Sequence, residues 1–147
     1  MHRVTVPNKI LLSEVGRLVA KGDKVTILTK GYSMLPFITG EKDSVLLEAP
    51  TELFPGMIVL AQIRKGHYVL HRIIDIDGDK VTLMGDGNIR GCEDCRREDV
   101  VAVATRILKK DRQVDCMSGR HLRQARMWKS LLPVRRWLLA VYRRLFI

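Results

Sequence analysis

Acidic residues are missing from the last part of this sequence. Residues 116–147 hold no Asp or Glu, but they hold Arg120, Arg123, Arg126, Lys129, Arg135, Arg136, Arg143 and Arg144. The rest of the chain balances 18 basic residues against 16 acidic ones, so the net charge of +10 sits almost wholly in that segment. A basic face spread over the whole body would mark a nucleic-acid binder; it is absent, and no nucleic acid is expected as a partner. Cysteine is scarce: three residues, an odd number, exclude the disulfide framework of a small secreted domain. No run of about 18 uncharged apolar residues occurs, which excludes a spanning helix. Residues 1–21 mix charged and apolar side chains, with no apolar core of signal-peptide type. One short helix before the β-rich region is too little for a helix-turn-helix, and no repeat or low-complexity tract appears. The expected location is the cytoplasm or the periphery of a membrane.

What is present suits one folded domain. The 147 residues are 46% hydrophobic and 29% charged, enough to bury a real core. Residues 8–21 read as a helix: Ile10, Leu11, Val15, Leu18 and Val19 fall near a 3.6-residue period, and Gly22 suits its end. From Lys24 the texture turns β-rich, with strand candidates at 25–29, 44–48, 57–64, 68–76, 80–84 and 100–108. Lys65-Gly66-His67 and Asp77-Gly78-Asp79 read as turns. Residues 1–115 are thus expected as one domain, with a helix over 8–21 and an antiparallel β core over 24–110. Residues 116–147 are expected as a basic amphipathic helical tail, interrupted at Pro133. Its Trp128, Leu131, Leu132, Trp137, Leu138, Val141, Leu145 and Phe146 suit either a membrane interface, through residues 120–147, or packing on the domain or a partner.

The chemistry lies in Gly31-Tyr32-Ser33-Met34-Leu35-Pro36, followed by Gly40 and Asp43-Ser44-Val45. A serine in a turn is ordinary by itself. A nucleophile also needs a base within reach, a group that orients the base, and donors for an oxyanion. His71, in an apolar strand, supplies an imidazole suited to proton transfer at neutral pH. Gly85-Asp86-Gly87-Asn88 supplies a carboxylate at a strand end, as an orienter requires.

These segments together resemble the boxes of the signal peptidase I family, within the wider superfamily of signal peptidases and SOS-repressor proteases. Ser33-Met34-x-Pro36 with Gly40-x-x-Asp43 resembles the nucleophile box, and Pro55-Gly56-Met57-Ile58-Val59 the next strand. His71-Arg72-Ile73 resembles the general-base box, and Gly85-Asp86-Gly87-Asn88 the Gly-Asp-Asn box. The order is the family's, over about residues 25–90. Most bacterial members place Lys before the Arg; this chain has His71, so it resembles the Ser-His branch.

The resemblance implies a mainly β, coiled antiparallel peptidase fold and a serine endopeptidase that cleaves a precursor peptide or protein. Ser33 would be nucleophile, His71 base and Asp86 orienter, with Asp94 a second candidate for that role. Met34 and Pro36 would lie in the substrate-binding part. Ser33 N–H would serve the oxyanion, and Gly31 stands where many members carry a hydroxyl donor. No N-terminal anchor of the family's kind is expected, which points to substrates in the chain's own compartment. The alternative is a non-catalytic domain that keeps the fold and binds a peptide or partner. Cys92 and Cys95 form a C-x-x-C pair that Cys116 and His121 could complete as zinc ligands, but no metal or cofactor is expected.

Overall fold

A computed structural model describes residues 2–3 and 9–147, with side chains from Leu12 onward. β1 (His2–Arg3) and α1 (Lys9–Ala20) come first. Then follow β2 (Val25–Leu28), β3 (Ser44–Glu48), β4 (Ile58–Arg64), β5 (His67–Asp77), β6 (Lys80–Met84), β7 (Glu93–Arg96), β8 (Val100–Leu108) and β9 (Gln113–Asp115). α2 (Gly119–Ser130) and α3 (Arg135–Phe146) are joined by a 3-10 turn at Leu132–Val134. The chain is mainly antiparallel β sheet with an N-terminal helix and C-terminal helices, the expected class.

Local chemistry explains the boundaries. α1 stops where Gly22 takes φ 97° and its N–H bonds the Val19 carbonyl. Asn8, expected in this helix, lies outside the described residues. The β4–β5 hairpin turns at Lys65-Gly66 with Gly66 at φ 75°, and the β5–β6 hairpin at Gly78-Asp79 with Gly78 at φ 60°. His67, expected in a turn, is already the first residue of β5. The tail breaks at Pro133, which has no N–H to continue a helix.

The sheet runs β1-β2-β3-β8-β4-β5-β6-β7, with β9 on the far part of β8. β1 is parallel to β2, and the other pairs are antiparallel. Register shifts at Leu46/Leu47 and Leu60/Ala61 interrupt the ladders on both sides of β8, and such bulges bend and twist a strand locally. β4 buries both faces. Ile58 and Leu60 join α1's Val15 and Val19 in one core, while Val59 and Ala61 join Ile73, Val81 and Leu83 in a second. The two-sided burial explains why β4 reads as a continuous apolar run.

α2 and α3 pack on this body. His121 and Ala125 of α2, and Arg135 and Leu139 of α3, are buried. Among the described residues no helix is long and apolar enough to cross a membrane.

Candidate active site

Ser33 sits in a braced loop between β2 and β3. Thr29 N–H donates to the Asp43 carbonyl at 3.0 Å, and its hydroxyl to the same oxygen at 2.7 Å. The Asp43 carboxylate accepts from Thr39 N–H at 2.8 Å and from Lys109 Nζ at 2.7 Å. Lys109 also bonds the Phe37 carbonyl at 2.9 Å, tying β8 to the middle of the loop. The Gly-x-x-Asp element of the motif is thus a clasp. Gly40 lies so close to Gly31 that any side chain would collide with the Gly31 backbone. Gly31 itself takes φ 72°, which disfavours a side chain there.

His71 comes from β5. Successive strand residues face opposite sides, so His71 opposes Val59 of the second core while Arg72 opposes Ile58 of the first. His71 is 7% exposed, and its Nδ1 lies 2.6 Å from Glu93 Oε1. A carboxylate only accepts, so Nδ1 carries the proton in this bond.

Two expectations are corrected here. Asp86 does not orient His71. Its carboxylate takes three hydrogen bonds from Arg72, at 2.9, 3.1 and 2.7 Å, on the other side of β5. Asp94, the second candidate, accepts from Thr82 Oγ1 at 2.9 Å at an exposed position. The carboxylate at His71 Nδ1 is that of Glu93, on the strand face that Leu83 and Ile73 share with it. Its sequence signal was only an acid beside the considered Asp94, because a strand's facing cannot be read from so short and charged a run.

Asp86 has a different task. With Arg72 it anchors the 85–88 loop beneath Ser33, and Gly87 N–H donates to the Ser33 carbonyl at 2.7 Å. A Cβ on Gly85 would collide with the Ser33 carbonyl, and one on Gly87 with the Tyr32 carbonyl. Trp128 Nε1 donates to the Asp86 carbonyl at 2.7 Å, and Arg135 Nη1 to the Asn88 carbonyl at 3.0 Å. The helical tail thus pins the loop that supports Ser33. Gly87→Ala is expected to cost about 1–3 kcal/mol by overpacking against backbone. Urea melts read the loss; an unchanged midpoint would show that the loop yields freely.

Ser33 and His71 line one cavity of about 350 Å³, with Ile27, Leu60, Leu70 and Met34 among its apolar walls. Met34 is buried in the first core and borders this cavity. Pro36 does not; it lines a separate cleft with Phe37 and Tyr142, because the turn after Met34 carries it to the α3 side.

Beneath the loop His121 is 2% exposed, set edge-on to the Phe37 ring at 5.4 Å. Its Nε2 lies 3.2 Å from Arg72 Nη1, which can only donate, so His121 is held neutral. Burial first, then the Arg72 charge, push its pKa down to about 4. The unfolded state, near the ordinary 6.5, binds the proton first. Stability is therefore expected to fall as pH drops from about 6.5 toward 4, since the depressed pKa lets U gain protons before N does. Thermal melts at pH 7 and pH 4.5 check this. The drop should shrink in His121→Phe, and an equal drop would assign it to other groups.

The cysteines do not gather. Cys116 lies in the first core and Cys95 in the second, while Cys92 is exposed. All three are free, and no cluster of three metal-ligating side chains occurs among the described residues. Burial pushes Cys95 up to about 11 and Cys116 to about 12, so neither is a thiolate nucleophile at neutral pH.

No family model matches the chain, and no curated protein sequence does.

Proposed function

We propose that this protein is a serine endopeptidase of the signal-peptidase type, with its coiled β fold, acting through Ser33, His71 and Glu93 on a precursor peptide or protein. The observation that carries the reading is the pairing of His71 Nδ1 with Glu93 at 2.6 Å while Ser33 and His71 border the same cavity. Nucleophile, base and orienter then have separate elements behind them: the β2–β3 loop, β5 and β7.

In this reaction His71 Nε2 takes the Ser33 hydroxyl proton as Oγ attacks the scissile carbonyl. Glu93 holds the ring in the Nδ1–H tautomer and stabilises the imidazolium that forms. The imidazolium then gives its proton to the leaving amine, and the C–N bond breaks to leave an acyl-enzyme. Water attacks the ester, losing its proton to Nε2; the C–O bond to Ser33 then breaks, the imidazolium returns that proton to Oγ, and the carboxyl product leaves. The Ser33 N–H is the oxyanion donor in this scheme. The apolar walls of the cavity favour small apolar side chains beside the cut.

A fluorophosphonate probe tests this without a known substrate. The full chain is expected to label on the peptide that contains Ser33, and labelling should vanish in Ser33→Ala with the fold retained. Equal labelling of both forms, or none in the wild type under any condition that preserves the fold, overturns the proposal.

A further inference from the structure

α3 carries two faces with apolar residues, and among the described residues only the inward one has a partner. Arg135, Leu139 and Tyr142, at spacings of four and three, turn inward on the body. Val134, Trp137, Leu138, Val141 and Leu145 fall at i, i+3, i+4, i+7 and i+11 and form a second stripe. That stripe faces solvent: Trp137 is 65% exposed, Val141 57% and Leu145 69%. Scattered exposed apolar residues are normal on a soluble protein, but a contiguous stripe with a tryptophan marks a contact surface.

Charge indicates what covers it. Arg136, Arg143 and Arg144 are exposed on the same helix, and α3 has no acidic residue. α2 adds Arg120, Arg123, Arg126 and Lys129, again with no acid. A second copy of this chain would bring these like charges together across a two-fold contact, which opposes self-association. A surface of negative charge with an apolar interior complements both the cations and the stripe.

We infer that α3 docks this protein on an anionic lipid bilayer. The stripe from Val134 to Leu145 enters the headgroup and acyl boundary, with Trp137 at the interface. The arginines remain at headgroup level. Only α3 does this: α2 is committed to the body through His121, Ala125 and the Trp128 bond to Asp86. The inner face of α3 rests on the two loops of the site, through Arg135 on Asn88 and Tyr142 in the cleft with Pro36 and Phe37. Docking would therefore hold the Ser33 loop one helix away from the membrane. The inference stands independently of whether Ser33 is a nucleophile.

Co-sedimentation of the full chain with vesicles tests it. The vesicles are phosphatidylcholine alone, or phosphatidylcholine with about 30% phosphatidylglycerol. The protein is expected to pellet with the anionic vesicles and to release at about 0.5 M salt in large part, because screening removes the charge contribution. Trp137 emission should shift to the blue on binding, and Trp137→Phe should remove that shift, which separates it from Trp128. Val141→Glu with Leu145→Glu should lower partitioning at least about tenfold. Both positions are exposed, and circular dichroism checks the fold. Arg143→Gln with Arg144→Gln should lower it about tenfold on anionic vesicles only. Protein that stays in the supernatant with anionic vesicles overturns the inference. So does binding that both glutamates leave intact, or a dimer that the glutamates split while no vesicle binding is seen.

Discussion

His71→Ala is expected to slow covalent labelling of Ser33 by about 10²–10⁴-fold, the usual contribution of a positioned base. Glu93→Gln should also slow it, by between about 10² and 10⁴, since an amide neither fixes the tautomer nor stabilises the imidazolium. The reason to expect so much from one glutamate is its place. His71 is nearly sealed from solvent, and the 2.6 Å contact with Glu93 is the partner that holds its Nδ1. The readout that separates positioning from mere structure is additivity. In a His71→Ala background, Glu93→Gln should change the rate little, because its effect runs through the imidazole. Glu93→Asp should recover part of the loss. Asp86→Asn gives the contrast: it acts through the loop under Ser33 rather than through the imidazole, so its effect should persist in the His71→Ala background. If Glu93→Gln leaves labelling at the wild-type rate, or if its effect is fully additive with His71→Ala, the assignment of Glu93 fails.

The contrast between Glu93 and Asp86 shows where sequence reading ran out. Long alternating or apolar runs were legible: 44–48, 80–84 and 100–108 are β3, β6 and β8, because branched and apolar residues pack on a pleated, half-buried surface. β7 and β9 were not. Glu93-Asp94-Cys95-Arg96 and Gln113-Val114-Asp115 have poor strand composition, and they extend only because β6 and β8 offer them ladder partners. Missing β7 meant missing Glu93. The resemblance implies a site of Ser33, His71 and Asp86, but it does not say that adjacent residues of one strand divide the work. His71 took the face of Val59 and met Glu93, and Arg72 took the face of Ile58 and met Asp86. The tail followed the same logic. Its 3.6 period was visible, yet a periodic pattern does not say which apolar face the body takes. Packing on Arg135, Leu139 and Tyr142 answered half of that question, and the outer stripe is the other half.

Asp86→Ala should be the most destabilising single change at the site, at about 3–5 kcal/mol, since it leaves a buried charge without its partner. Arg72 is 3% exposed and Asp86 4%. Three of the guanidinium's hydrogen bonds end on that carboxylate; its other partners are the Gly56 carbonyl at 2.7 Å, neutral His121 and the Phe37 ring at 5.0 Å, and the buried Arg135 cation also depends on the Asp86 charge. None of these carries negative charge. The cost is that of the orphaned cation rather than the worth of the pair, and the two can be told apart. Arg72→Met with Asp86→Leu together should recover much of the loss, because an apolar pair of similar volume avoids desolvating either charge. Recovery should be incomplete, since Gly56 and His121 also lose a donor. Urea midpoints for the two single variants and the double give the coupling energy directly. The same series tests the link to function: the loop that Asp86 anchors also delivers Gly87 N–H to the Ser33 carbonyl. The double variant, although refolded, should label more slowly than wild type, because stability returns while the fixed position of the loop does not. A double variant as stable and as reactive as wild type would mean that the pair supports neither the fold nor the nucleophile.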